Sequence, residues 1–239
     1  MTTQKLPPHI SKKFDNELEN IRSQVMAMGG LVEQQLTHAL KSLVEGDVEL
    51  AESVIMNERQ VNTYEVSIDE ECIRILARRQ PAAGDLRLVT AVGKTITDLE
   101  RIGDEAEKIA KMAIDLADRQ GLKHYYIGIN AMGTLVSGMV HEALDAFARM
   151  DTQAALVTAG KEPESDDQYA ALLRQLITYM MEDPRSITSA LDAVWVARAM
   201  ERIGDHARNM CEYIIYFVEG KDVRHISLEQ MEKEVNATR

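Results

Sequence analysis

The sequence predicts an all-α protein built as two pseudo-symmetric three-helix bundles, six long antiparallel helices that arise from an internal duplication. Composition is the first reason, because aromatic residues make up only 5% of the 239-residue chain and Gly and Pro are sparse. Good helix formers dominate instead, which disfavours a β sandwich or barrel. The second reason is the pentapeptide ERIGD, which occurs at 100–104 and again at 201–205.

Glycines, prolines and N-cap aspartates mark where the helices begin and end. Gly46 is expected to end the first helix, and Asp47 and Asp151 to cap the second and fifth. Pro81 and Pro184 take equivalent places in the two halves. The three helices expected in the first half cover about 11–45, 48–80 and 85–121. Those expected in the second half cover about 126–150, 152–183 and 186–220.

Similar apolar patterns in the two halves indicate one structural unit of roughly 100 residues, present twice. We expect a first three-helix bundle over 1–121 and a second over 122–222. Residues 223–239 form a charged tail that we expect to fray. Because the connections are short, neighbouring helices should be antiparallel.

The charge and the apolar patterns disfavour several classes of function. A formal net charge of −12 repels nucleic acid and anionic membrane surfaces. No stretch of eighteen apolar residues is present, so we expect no direct membrane insertion. With no signal-peptide pattern, the expectation is a cytoplasmic protein, with peripheral contact to a membrane complex left open. Cys72 and Cys211 are expected to be reduced core thiols, and Trp195 and the methionines to be core residues.

The repeated motif places two acids one helical turn apart. Glu100 and Asp104 share a helix face, as do Glu201 and Asp205, at the border of each helix's apolar stripe. Two such acids repel each other by a few tenths of a kcal/mol, and a shared cation would remove that conflict. Carboxylate ligands suit Mg²⁺, Mn²⁺ or Ca²⁺, and iron is possible.

Other residues bear on this metal hypothesis. The repeated glycines Gly103 and Gly204 predict close approach of a neighbouring helix backbone, since glycine inside a helix costs about 1 kcal/mol. An alternative interpretation is a solvated or salt-bridged face, because Arg101 and Arg202 stand beside the acids. Further oxygen ligands would come from neighbouring helices, with these candidates: Glu65, Asp69, Asp166 and Asp167.

The stretch RQPAAGDLRLVTAVGKTITDLERIGDEAEKIAK over 79–111 resembles the signature of the PhoU family, and ARAMERIGDHARNMCEY is similar to that family's second motif. The resemblance covers nearly the whole chain, including its length, its two-fold repeat and its helix order. It implies two pseudo-symmetric three-helix bundles.

The resemblance also implies a function. PhoU-like proteins are not known as enzymes; they are negative regulators of phosphate uptake and phosphate-starvation signalling. They are thought to link the ATPase subunits of the phosphate ABC transporter to the membrane histidine kinase that senses phosphate. We therefore expect a cytoplasmic adapter, associated peripherally with the transporter complex.

The ExxxD motifs are metal sites in some members of that family, and they map here onto Glu100, Asp104, Glu201 and Asp205. The resemblance implies Mg, Mn or Fe there, with no cofactor needed for catalysis. The copies differ at Asp98, which is alanine in the second copy, so the two sites can differ in affinity. Asp85 and Arg87 also match the family, and the candidates for partner binding or regulation are Asp85, Arg87, Asp98, Arg101 and Arg202.

Three alternatives bear on function. A carboxylate-bridged, ferritin-like oxidoreductase is disfavoured, because none of the six histidines has a glutamate three residues before it. A structural scaffold with merely solvated acids would differ from the adapter only in lacking a regulated partner. A P-loop NTPase is excluded because no GxxxxGK[ST] motif occurs. Abundant amphipathic helices also favour a homodimer, the commonest oligomer.

Overall fold

The computed structural model describes residues 12–117 and 126–237, with only the backbone at Tyr126. Within these residues the chain is helical and contains no strand, so the predicted all-α class is confirmed. The helices are α1 Lys12–Glu45, α2 Val48–Arg79, α3 Ala83–Ala117, α4 Tyr126–Arg149, α5 Thr152–Ala159, α6 Glu162–Glu182, α7 Ile187–Glu219 and α8 Leu228–Asn236, with a 3₁₀ turn Pro184–Ser186. The expected start of the first helix at Ser11 and the expected end of the third helix at Gly121 lie outside the described residues.

The predicted caps are confirmed by their hydrogen bonds. The Asp47 carboxylate accepts from the Leu50 amide at 3.0 Å, and the Asp151 carboxylate accepts from two amides of α5. Each satisfies N–H groups that the first turn of a helix leaves unpaired. Gly46 and Gly220 have φ of +69° and +76°, a conformation that terminates a helix and favours glycine.

Two expectations about the helices of the second half are wrong. The single helix expected over 152–183 is two helices, because the chain turns at Gly160 and Lys161 before α6 begins. Pro163 stands in the first turn of α6, where its missing N–H has no partner to lose. The C-terminal tail does not simply fray, since α8 is capped by Ser227 and buries Met231 and Val235.

The two halves of the chain lie side by side and are related by the repeat. α1 packs against α4, and α3 against α7. At the first seam, a methyl group on Gly29 would lie 2.4 Å from Leu144 Cδ2, and one on Gly133 would lie 3.0 Å from Leu40 Cδ2. Gly133 stands 104 positions after Gly29, and Leu144 stands 104 positions after Leu40. The two contacts are therefore equivalent under the repeat, as pseudo-two-fold packing of duplicated units requires.

One apolar core runs through both halves. Cys72 and Cys211 are buried free thiols, as expected. Trp195 is not a core residue, because 66% of it is exposed, and Met56 and Met181 are even more exposed. The prediction for Trp195 was wrong because this residue stands on the outward side of α7, in line with the exposed Leu191 and Arg198 one turn before and after it. Among the described residues, no helix is long and apolar enough to cross a bilayer.

Candidate functional site: two acidic clusters

The first copy of the repeated motif lies on α3 beside α2. Glu100 and Asp104 are half-buried on the α3 face that borders α2. Glu58 of α2 is buried beside them, with only 6% of it exposed. Its Oε2 accepts a long, 3.5 Å hydrogen bond from Gln35 Nε2, while its Oε1 has no hydrogen-bond partner. We refer to Glu58, Glu100, Asp104 and Glu107 as the first cluster.

Burial and mutual repulsion disfavour ionisation in the first cluster. Burial raises the pKa of Glu58 to about 7, and the charges of Asp104, Glu107 and Glu100 add to that effect. Burial also raises the pKa of Glu100, followed by the charges of Asp104 and Glu65. These acids are therefore gathered closely enough to oppose one another's charge.

Gly103 makes room for this arrangement. A methyl group there would lie 3.1 Å from Glu58 Oε2 and 3.3 Å from Gln35 Oε1. The close approach expected at this glycine exists, but the neighbours are side chains, including that of Val61 at 3.4 Å, and not a helix backbone. Gln35 Oε1 is itself buried without a hydrogen-bond partner, as is Glu58 Oε1 of the first cluster. Two neighbouring oxygens therefore lack the partner that buried polar atoms normally have.

The second copy of the motif lies on α7 beside α6. One carboxylate oxygen from each of Glu162, Asp166 and Asp205 lies within 4.8 Å of the others. Glu201 stands one turn before Asp205, and its Oε2 is buried without a partner. We refer to Glu162, Asp166, Glu201 and Asp205 as the second cluster. It is the arrangement of acids in the described part of the chain that best matches a cation site.

The second cluster repeats the electrostatics of the first. Burial raises the pKa of Asp205, with the charge of Asp166 as the next cause, and burial and Asp205 raise the pKa of Glu201. A methyl group on Gly204 would lie 3.0 Å from Ser165 Oγ, a buried hydroxyl without a partner. Here too the close neighbour of the glycine is a side chain.

Two arginines distinguish the second cluster from the first. Arg198 binds Glu201, and Arg208 Nη1 lies 2.8 Å from Glu162 Oε2. The equivalent positions in the first half, 101 residues earlier, are Thr97 and Glu107. The first cluster therefore has an additional acid where the second has a neutralising arginine.

The first candidate for partner binding, Asp98, lies inside the seam between α3 and α7. His206 Nδ1 is 2.6 Å from Asp98 Oδ1, and Asn209 Nδ2 donates to the same oxygen at 3.1 Å. Since only 6% of Asp98 is exposed, these bonds join the two halves. Arg202 makes the neighbouring ion pair across the seam, 2.8 Å from Glu105 Oε1.

The remaining candidates lie near the ends and the outside of α3. Arg87 Nε donates to the Phe217 carbonyl at 3.4 Å, and its guanidinium packs on Gly220, which ties the start of α3 to the end of α7. Asp85 stands in the first turn of α3, where an acid interacts favourably with the helix dipole. Arg101 is exposed, 3.5 Å from Glu100.

Of the additional ligands expected on neighbouring helices, the structure brings only some close to the repeated motifs. Asp166 does join Asp205, whereas Asp167 is outside the second cluster. Glu65 contributes to the first cluster only through its charge and a 3.4 Å bond from the Thr97 hydroxyl. Glu58 and Glu162 were missed, although both are signalled in the sequence. Glu162 and Asp166 form an ExxxD pair of their own, and Glu58 is 104 positions before Glu162, the same shift that relates α1 to α4.

Comparisons with known proteins agree with this architecture. Two segments of the chain, 25–113 and 129–214, match the family model described as PhoU domain. A relative from Pseudomonas aeruginosa, the phosphate-specific transport system accessory protein PhoU homolog, is 51% identical over 98% of this chain and 97% of its own. The phosphate-specific transport system accessory protein PhoU of Escherichia coli (strain K12) is 46% identical over 98% and 96%.

Solved structures show the same fold. The crystal structure of PhoU from Pseudomonas aeruginosa matches with a TM-score of 0.85 at 50% identity, covering 87% of this chain and all of that one. The phosphate transport system regulatory protein PhoU from Streptococcus pneumoniae matches with a TM-score of 0.81 at 31% identity, covering 88% of this chain and 99% of that one.

Proposed function

The chain belongs to the PhoU family, and from this premise we propose that it is a non-enzymatic negative regulator of phosphate uptake and phosphate-starvation signalling. In this proposal it is an adapter between the ATPase subunit of the phosphate ABC transporter and the membrane histidine kinase that senses phosphate. The observation that carries the proposal is near-full-length similarity to proteins named as accessory proteins of phosphate-specific transport. A homodimer, associated peripherally with the transporter at the cytoplasmic face, is part of the proposal.

The chemistry of the clusters supports a role without catalysis. In both clusters the acids are carboxylates on helix faces, with no histidine among them. The ferritin-like alternative needs a Glu-x-x-His motif on two helices, and the sequence has none. The thiols offer no nucleophile, since burial raises the pKa of Cys72 to about 12 and that of Cys211 also upward.

We further propose that each cluster holds a divalent cation such as Mg²⁺, Mn²⁺ or Fe²⁺. Glu100 and Asp104 would bind it in the first cluster with Glu58, and Glu201 and Asp205 in the second with the pair from α6. The unpartnered oxygens of Glu58 and Glu201 fit this, because a cation would satisfy them and relieve the mutual repulsion. An all-oxygen donor set suits hard cations. The ion would supply positive charge that fixes the geometry of the helix face.

The remaining candidates are assigned different parts in the proposal. Arg101, Arg202 and Asp85 are proposed to contact partners, because each has at least part of its side chain at the surface. Asp98 and Arg87 are proposed to act indirectly, since their contacts join α3 to α7. Changing either would alter how the two halves of the adapter face their partners.

A capture experiment tests the adapter and the cations together. The transporter's ATPase subunit is captured from membranes on the wild-type protein and on a variant with four substitutions. These are Glu100→Gln, Asp104→Asn, Glu201→Gln and Asp205→Asn. Each capture is done once with Mn²⁺ and once with chelator. Calorimetric titration with Mn²⁺ measures binding in the same two proteins. We expect wild type alone to bind Mn²⁺ and to capture the ATPase better with it.

Each other outcome has a distinct meaning. Equal capture by both proteins in every condition would keep the adapter and remove the cations from its function. Calorimetry without heat of Mn²⁺ binding to wild type would refute the metal proposal on its own. No capture by wild type in any condition would refute the adapter and favour the plain scaffold.

A further inference from the structure

Arg198 of α7 stands between the second cluster and solvent. Its guanidinium binds Glu201 Oε1, while the other oxygen of that carboxylate, Oε2, is buried without a hydrogen-bond partner. The charge of Arg198 also reaches Asp205. Burial and the charge of Asp166 raise the pKa of Asp205, and the charge of Arg198 is among the effects that oppose this. The arginine therefore neutralises part of the cluster without bonding all of it.

The contacts that hold Arg198 in this place are few. Its side chain is 48% exposed, and Glu201 is its one carboxylate partner within the described part of the chain. Its other neighbour is Tyr169 of α6, whose ring centroid lies 6.0 Å from the guanidinium carbon. A half-exposed arginine with one carboxylate partner exchanges that partner for water at small cost, so Arg198 is free to move when a stronger cation competes for Glu201.

Arg208, the other arginine of the second cluster, is held much more firmly. Its Nη1 lies 2.8 Å from Glu162 Oε2, and its Nε lies 3.2 Å from Glu212 Oε1. The side chain of Glu212 is only 8% exposed, and a buried carboxylate keeps its cationic partner because losing it would be costly. Two carboxylates therefore fix Arg208, which leaves Arg198 as the arginine that can leave the cluster.

The repeat supplies a natural comparison, because the first cluster has no arginine at the same position. Thr97 takes the place of Arg198 in the first half, since it stands three residues before Glu100. Its hydroxyl donates to Glu65 Oε1 at 3.4 Å. Arg101 lies beside the first cluster as well, but at 3.5 Å from Glu100 Oε2 it forms a longer ion pair than Arg198 does. The two clusters thus differ in whether a hydrogen-bonded arginine occupies the motif glutamate.

Two buried oxygens of the second cluster are left unsatisfied by this arrangement. One is Glu201 Oε2, and the other is the hydroxyl of Ser165, which is 1% exposed and has no hydrogen-bond partner. Ser165 stands between Glu162 and Asp166 in the sequence, and its Oγ would lie 3.0 Å from a methyl group on Gly204. A divalent cation contacts several oxygens at once, whereas Arg198 satisfies one. The unsatisfied oxygens therefore favour a cation over the arginine.

We propose that Arg198 is a displaceable counter-ion of the second cluster. Without a cation it neutralises Glu201, and a divalent cation that binds Glu201 and Asp205 releases it. The inference rests on the proposed cation sites and adds how the second one is regulated. Release leaves Arg198 with Tyr169 and solvent, so binding of the cation removes negative charge from the α6–α7 face and adds a free guanidinium to it.

Calorimetric titration with Mn²⁺ tests the competition once each cluster is studied alone. Glu100→Gln and Asp104→Asn together disable the first cluster, and we call the resulting protein the second-cluster background. Arg198→Thr is added to it, because threonine is the residue that the first half has at this position. Arg185→Thr is the matched control, since it removes the same charge from a side chain that is 91% exposed and paired with Asp183 instead of the cluster.

We expect Arg198→Thr to bind Mn²⁺ about tenfold more tightly than the second-cluster background, because a partly exposed charged hydrogen bond is worth about that factor. Arg185→Thr should stay within about twofold of the background. The reciprocal change is Thr97→Arg in a protein whose second cluster is disabled by Glu201→Gln and Asp205→Asn. It should weaken Mn²⁺ binding to the first cluster by about tenfold, since it introduces the same competitor there.

A crystal structure of the Mn²⁺-loaded wild type tests the movement itself, and we expect its guanidinium at position 198 to have left Glu201. Three results would overturn the inference. Equal Mn²⁺ affinity of the background and of Arg198→Thr would show that the arginine does not compete. Weaker binding by Arg198→Thr would show that Arg198 holds Glu201 in place for the ion. An intact bond between Arg198 and Glu201 in the loaded crystal would exclude displacement.

The same titrations separate this inference from the proposed cation sites. Mn²⁺ binding that is indifferent to Arg198 leaves the second site standing and overturns only the displacement. Heat of binding in Arg198→Thr and none in the background supports the displacement in its strongest form, in which the arginine excludes the ion. No heat in either protein refutes the second cation site, and the displacement falls with it.

Discussion

Replacing Glu58 by glutamine should stabilise the protein, and increasingly so as the pH rises. Its pKa of about 7 in the folded chain, against an ordinary value of 4.5, results from burial first and then from the charges of Asp104, Glu107 and Glu100. A carboxyl whose pKa is raised on folding contributes stability that is complete below about pH 4.5 and is lost as the pH rises through about 7. The difference between these two pKa values of Glu58 corresponds to roughly 3 kcal/mol of folding free energy. Glutamine keeps the size and the hydrogen-bonding oxygen without the charge.

Urea unfolding followed by circular dichroism, in chelator, measures this effect. We expect the free energy of unfolding of Glu58→Gln to exceed that of wild type by about 1 kcal/mol or less near pH 5 and by about 3 kcal/mol near pH 8. Glu52→Gln, at an exposed position of the same helix, should have the same free energy of unfolding as wild type at both pH values. Mn²⁺ added near pH 8 should narrow the gap, because a bound cation stabilises the ionised acids of wild type. An advantage of Glu58→Gln that is equal at the two pH values would refute the electrostatic reasoning.

Three further substitutions test the packing and the seam by thermal or urea unfolding. Gly29→Ala should lower the free energy of unfolding by about 1–2 kcal/mol, because its methyl group would press on the buried Leu144 side chain. Gly30→Ala, with nothing within 4 Å, should raise it by up to about 1 kcal/mol. A more stable protein in both cases would contradict the tight α1–α4 contact. Asp98→Ala should cost about 2–3 kcal/mol, since it leaves the histidine and asparagine across the seam without their acceptor, and a neutral result would show that the seam does not need it. Asp151→Ala should cost about 1 kcal/mol through loss of the α5 cap, and a loss below a few tenths would mean that water replaces the carboxylate.

The helix boundaries were predictable because each rests on a local rule. Asp47 and Asp151 accept from the amides of the turn that follows them, and Gly46 and Gly220 take the positive φ that ends a helix. None of these interactions needs a distant partner. Composition and the repeat therefore predict the all-α fold class and most helix ends correctly.

The failures came from features that depend on distant parts of the chain or on a rule applied incompletely. Pro163 is a start signal for a helix, and it marks the break after Gly160 that the single helix expected over 152–183 did not include. Trp195 was expected in the core because of its residue type, although the helical period places it outside the apolar stripe of α7 that runs through Val196 and Met200. Met231 and Val235 fix α8 only because α5 lies beneath them, and that contact joins segments far apart in sequence.

Duplication explains why the motif occurs twice, but the surroundings make its two copies different. The first cluster includes Glu107, where the second has Arg208 bound to Glu162. The seam shows the same divergence, since Asp98 binds the neighbouring half and its counterpart, Ala199, cannot. Repulsion among acids grows with each uncompensated charge. A bound cation would therefore relieve more repulsion in the first cluster, because arginines already relieve part of it in the second.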